Sequence, residues 1–202
     1  MTGVPAFIEY FGTAVTAPRQ FAKIVMAERK ELYYGFAIVL VFSIMVSIVS
    51  TYAVVIKAMG FAPFLPGFVV SATLGGLVVL GVIASIILWL IIGLLVHGFS
   101  VLLGGKNGFE QTLMALSFFW IPWFIHGLAA PVYVFADYMT SLVIWMLVTI
   151  ISLCWGVILV VLSLAEVHEY GVGRAFASIL LPLVIIVFLC VIIPTLVVFS
   201  WI

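Results

Sequence analysis

LLVHGFSVLLGGKNGFEQTL, residues 94–113, sets an uninterrupted apolar run against a glycine-rich turn that carries one lysine. Two readings compete: a cradle for a nucleotide phosphate, or a corner between two helices. A Walker-type loop needs Gly-x-x-x-x-Gly-Lys followed by Ser or Thr, whose hydroxyl holds magnesium, and it follows a strand. Here Ser100 stands at the first glycine position, Asn107 follows Lys106, and no strand precedes the turn. The phosphate-loop reading fails on each count. Gly104 and Gly105 suit the left-handed residue that ends a helix. Asn107, with Glu110 three residues on, has the spacing of a capping box for the next helix. The stretch is therefore read as a helix–turn–helix corner, at which Lys106 and free backbone N–H groups could attract an anionic lipid headgroup.

Outward from that corner the chain is dominated by apolar runs. Its 202 residues are 67% hydrophobic and 7% charged, against about 45–50% and about 25% in soluble domains. A spanning helix needs about 20 mainly apolar residues. Five stretches qualify, near 33–56, 68–103, 112–134, 142–165 and 175–202, and none has an Asp, Glu, Lys or Arg in its interior. The expected fold is all-α: a polytopic membrane protein of five transmembrane helices preceded by a short amphipathic interfacial helix. It is expected as one membrane domain over 1–202, with a lead-in at 1–32 and the bundle at 33–202. Pro122, Pro131, Pro182 and Pro194 fall inside the third and fifth spans, where neighbouring helices can accommodate a kink. The second span exceeds the bilayer's need and is expected to tilt or to continue beyond the hydrocarbon.

Sidedness follows from the cations. Arg19, Lys23, Arg29, Lys30, Lys106 and Arg174 fall on one side of this topology and only Lys57 on the other, which places the N-terminus in the cytoplasm and the C-terminus outside. Glu9, Glu28, Glu31, Glu110, Glu166 and Glu169 share the cytoplasmic side, leaving Asp137 as the external acid. Zero net charge and the lack of a basic stripe argue against nucleic acid as a partner. Cys154 and Cys190 lie in apolar runs and read as small buried hydrophobes. The first apolar segment is too long for a signal peptide and reads as an uncleaved span.

Small residues recur four apart at Ser43-Ser47-Thr51, Ser71-Gly75, Ala72-Gly76, Gly81-Ser85 and Ser152-Gly156. Such ridges let helices approach closely in lipid; a glycine ridge could also line a solute path. Trp145 and Trp201 fit interfacial anchoring, whereas Trp89, Trp120, Trp123 and Trp155 lie deeper and suit packing between helices. In the lead-in, Pro18 suits a first helical turn. Phe21, Ile24, Val25 and Leu32 fall near one face, so the helix is expected on the inner membrane surface. A partner-docking helix would read the same way.

The candidate chemistry gathers at the cytoplasmic face as His97, Lys106, Glu110, Glu166, His168, Glu169 and Arg174. One reading is a polar network in which Arg174 and Lys106 pair with glutamates and brace the corners. A proton relay from His97 to Glu166 or Glu169 is a second. A zinc or iron site is a third, but the H-E-x-x-H spacing is absent. No catalytic, cofactor-binding or metal residues are assigned, and no cofactor is expected. His126, the deepest ionisable residue, reads as a hydrogen-bonded histidine between helices.

Three segments together resemble the Yip family of Ypt/Rab-interacting membrane proteins. These are Ala17-Pro18-Arg19-Gln20-Phe21, then Leu103-Gly104-Gly105-Lys106 with Phe109 and Thr112, and then Glu166-Val167-His168 with Gly173-Arg174-Ala175. The resemblance covers about 180 residues, nearly the whole chain. It implies five spans. In eukaryotic relatives it implies roles in vesicle traffic, binding of small GTPases and association with other family members. The extended hydrophilic N-terminal region of those relatives is not in this sequence, so the resemblance points to a compact bacterial or archaeal member in a cytoplasmic membrane. The expected function is a non-enzymatic membrane scaffold or adaptor that self-associates or binds membrane partners. The alternative is a small-solute or ion channel or transporter that uses the cytoplasmic His/Glu cluster.

Overall fold

A computed structural model of the chain describes residues 6–59 and 67–199. Every regular element among them is helical. The lead-in forms α1 (Ala6–Thr16) and α2 (Pro18–Glu28). The five expected spans follow as α3 (Glu31–Met59), α4 (Gly67–Leu102), a composite third span, α7 (Tyr138–Val167) and α8 (Val172–Phe199). The composite runs through α5 (Phe109–Ser117), a 3-10 segment (Phe118–Trp123) and α6 (Phe124–Phe135). The first four of these spans each contain a run long and apolar enough to cross a membrane, and α8 is apolar over Val172–Ile185.

Pro122 explains the composite span. It has no N–H to donate and its ring crowds the preceding turn, so the helix tightens to 3-10 through Phe118–Trp123. The disturbed backbone finds a partner on α7, whose Ser152 hydroxyl donates to the Pro122 carbonyl at 3.2 Å. One turn on from Ser152, Gly156 lets α7 approach so closely that an added Cβ would lie 2.9 Å from the Phe119 carbonyl oxygen. On the other side of the bundle, a Cβ on Gly81 of α4 would lie 2.6 Å from the Ser47 hydroxyl of α3. These small residues serve packing, as the sequence predicts. The ridge at Ser71, Ala72, Gly75 and Gly76 does not: it is exposed, and a Cβ at either glycine would meet nothing within 4 Å among the described residues.

Apolar residues line both the interior and the exterior. Leu113, Met114, Phe118, Ile121, Leu159 and Leu164 fill the centre, while Leu80, Leu94, Val143 and Ile150 stand exposed on α4 and α7. In water that exterior would be untenable; against lipid it is the expected surface. Cys154 belongs to this exterior. It is free and exposed, contrary to the expectation of a buried thiol, because its position on α7 turns away from the 3-10 segment that Ser152 and Gly156 face. Cys190 and Trp201 have side chains outside the described residues.

The lead-in packs on the bundle. Pro18 opens α2 as expected. Phe21, Ala22 and Val25 are buried, and the Phe21 ring lies 5.3 Å from that of Phe118. That apolar face meets protein instead of acyl chains, while Arg19 and Lys23 point outward. Leu32 does not share the face. Arg29 takes a left-handed conformation (φ 53°) that ends α2, and Leu32 falls in the first turn of α3, exposed. Tyr10 and Tyr34 donate to the two oxygens of Glu28, each at 3.0 Å, tying α1, α2 and α3 together. Those two hydrogen bonds hold the Glu28 carboxyl below its ordinary range.

Candidate functional site

The end of α4 and the end of α7 are built alike. At the first, the Gly105 N–H donates to the Ser100 carbonyl (2.8 Å) and the Gly104 N–H to Val101 (3.0 Å), with Gly104 at φ 90°. At the second, Tyr170 donates to Ala165 (3.1 Å) and Glu169 to Glu166 (3.3 Å), with Glu169 at φ 53°. Both are Schellman closures, which satisfy carbonyls the last helical turn would leave orphaned. The glycine pair thus ends its helix as the sequence predicts.

The capping box does not form. Gly108 is the N-cap residue of α5, with no side-chain cap. Asn107 reaches across the bundle, and its side-chain amide donates to the Val167 carbonyl at the end of α7. A carbonyl left free by that helix is a stronger demand than an N–H facing solvent. Glu110, the expected partner in the box, is exposed and lines a cleft beside α3 instead.

Thr112 joins the two corners. Its hydroxyl lies 2.9 Å from His97 Nδ1 on α4, 2.9 Å from His168 Nε2 after α7, and 3.2 Å from the Gly108 carbonyl. A hydroxyl has one proton and two lone pairs. If it donates to Gly108, both imidazoles must donate to it, which sets Nδ1–H on His97 and Nε2–H on His168. The remaining His168 Nδ1, buried without a partner, is then a bare lone pair and not a stranded N–H. Gly105 packs against that edge so closely that a Cβ would stand 2.7 Å from Nδ1. His168 is fully buried, and burial, followed by electrostatic repulsion from the neighbouring His97, pushes it down to about 4. Beside it, the Tyr170 hydroxyl links Ser100 (3.1 Å) to Ser178 (3.2 Å), joining α4 to α8.

The charged members of the predicted cluster lie around this core. Lys106 meets Glu169 at 3.0 Å, with both side chains more than 60% exposed, and Lys23 meets Glu166 at 3.2 Å. The bracing reading holds for Lys106. Arg174 departs from it: among the described residues it forms no ion pair, and it is exposed beside Gly104. His97 meets His168 through Thr112, with no hydrogen bond to Glu166 or Glu169 among the described residues, so the alternative histidine–glutamate relay is not assembled. No group of three His, Cys, Asp or Glu among the described residues is placed to hold a metal ion.

Thr112, Ser100, Tyr170 and Ser178 were not singled out as site residues by sequence reasoning. The available signal was a set of lone hydroxyls beside apolar helix ends, which becomes informative only when those ends are known to meet. His126 is buried as expected, but its hydrogen bond is to Tyr133 of its own helix (3.1 Å); it stacks on Trp123 at 5.1 Å and reaches α7 through Trp145. Asp137 caps α7 by accepting from the Thr140 N–H at 3.0 Å.

No curated protein and no solved structure matches the chain. The family model of the Yip1 domain matches residues 12–193, a span that holds all three segments of the resemblance, the composite third span and both Schellman corners. The chain is an integral membrane protein and belongs to the Yip1-domain family.

Proposed function

We propose that the protein is a non-enzymatic membrane scaffold that self-associates within the bilayer, with its polar end in the cytoplasm. The observation that carries this reading is the contrast between its two kinds of small-residue ridge. Gly81 and Gly156 are each closed by a neighbouring helix, whereas the ridge through Ser71, Ala72, Gly75 and Gly76 is exposed and its glycines meet no atom of another helix among the described residues. Close helix approach over small residues is a common basis of helix association in lipid. The polar end supports the same reading, because His97, His168, Lys106, Glu166 and Glu169 are engaged with protein partners. The cytoplasmic placement rests on the cations, six of seven of which fall on that side of the five-span topology.

Native mass spectrometry of the full chain in mild detergent tests this. The expected result is a discrete oligomer that Gly75→Leu together with Gly76→Leu dissociates and Gly98→Leu, at another open glycine, leaves intact. A strictly monomeric wild type would reject the scaffold. Flux in proteoliposomes that is lost on replacing Glu166 or His97 would favour a channel or transporter in its place.

A further inference from the structure

A cleft of about 600 Å³ opens where the first turn of α3 faces the middle of α4 and the start of α5. Its rim carries Arg29 and Glu110, and its wall is formed by Tyr33, Phe36, Ile86 and Leu90. The charges nearby are already engaged: Lys30 pairs with Glu28 at 3.6 Å, and Glu31 accepts from Gln111 at 3.1 Å. Arg29 and Glu110 are different. Both are exposed, and neither forms an ion pair among the described residues. The cleft therefore offers one open cation and one open anion above an apolar wall, with Phe36 about 7.5 Å along α3 from Glu31 at 1.5 Å per residue.

We propose that this cleft seats one zwitterionic phospholipid with a primary ammonium headgroup, of the phosphatidylethanolamine class, drawn from the leaflet at the polar end of the bundle. The Arg29 guanidinium matches the two free oxygens of the phosphate as a planar fork. The Glu110 carboxylate accepts from the ammonium. Phe36, Ile86 and Leu90, half-buried or exposed, then run beside the acyl chain. A purely anionic headgroup would satisfy Arg29 but would bring like charge to Glu110. A choline headgroup has no N–H to donate to it.

The test uses the full chain reconstituted with equimolar phosphatidylethanolamine, phosphatidylcholine and phosphatidylglycerol, then extracted in mild detergent, with retained lipid counted per chain by native mass spectrometry. The expected result is one phosphatidylethanolamine per chain, favoured about threefold over each competitor, the size of a partly exposed charge pair. Arg29→Gln should lower total retention about threefold, and Glu110→Gln should erase the preference while raising phosphatidylglycerol. Arg19→Gln, an exposed cation on α2 outside the cleft, should change nothing. Absence of retained lipid, a wild-type preference for phosphatidylglycerol, or an equal effect of Arg19→Gln and Arg29→Gln would overturn the proposal. Retention is read per chain in every oligomeric state, so it stands or falls independently of self-association.

Discussion

The two corners that meet at the polar end share one backbone design and differ at the residue that completes it. After α4 the left-handed position is Gly104; after α7 it is Glu169. Glycine takes that conformation freely, whereas a side chain there costs on the order of 1 kcal/mol. Glu169 holds it while its carboxylate meets Lys106 of the other corner. At the first corner, backbone freedom suffices for the left-handed residue. The second is held by what surrounds it: the buried His168, the Thr112 hydroxyl, and Asn107 on the Val167 carbonyl. Where a turn lacks the residue its geometry favours, tertiary contacts have to supply the difference.

The largest effect that could break this comparison is acid. His168 is held at about 4 in the folded protein against an ordinary 6.5. The unfolded chain therefore takes up the proton first as pH falls. Stability is fully present above 6.5 and declines toward 4, by about 3 kcal/mol in total. Thermal unfolding in detergent between pH 7.5 and 4.5 should show that decline, and His168→Gln should flatten it. An unchanged slope in the variant would place the acid sensitivity elsewhere.

Next comes the hub. Thr112→Val strands the buried ring N–H of His168 and the half-buried one of His97 and should cost about 2 kcal/mol. Thr112→Ser keeps the hydroxyl and should lose only about 1 kcal/mol with the buried methyl. Equal losses would mean that packing, not hydrogen bonding, joins the corners. Gly104→Ala should cost about 1–2 kcal/mol, because alanine resists a φ of 90°. Smallest, and opposite in sign, is Glu169→Gly: relief of the backbone outweighs an exposed ion pair by less than about 1 kcal/mol. A fall in the unfolding midpoint of that variant would show that the Lys106 pair matters more than its exposure suggests.

The spans were legible because a bilayer demands long apolar runs, and the α4 corner because only glycine fits its turn easily. The faces of the helices were not. When lipid and core are equally apolar, periodicity cannot separate Cys154, which is exposed, from Ser152 and Gly156, which are buried. Nor could local spacing show that Asn107 would leave the α5 cap for a carbonyl 60 residues away, or that His97 would find Thr112 and not a glutamate. The lead-in helix was legible as amphipathic, but the substance its apolar face meets is set by Phe118, far along the chain. The Schellman closure at Glu169 carried no sequence signal, since glutamate does not favour the left-handed region.

The polar end is read as a locked joint in which Thr112 receives hydrogen bonds from two histidines. Nitrogen-15 NMR of histidine-labelled protein at pH 7 tests it most directly. The expected spectrum shows a neutral His168 protonated on Nε2 and unaltered down to about pH 5, and a proton on Nδ1 of His97, with both signals shifting in Thr112→Val. A charged His168 at pH 7, or its proton on Nδ1, would contradict it.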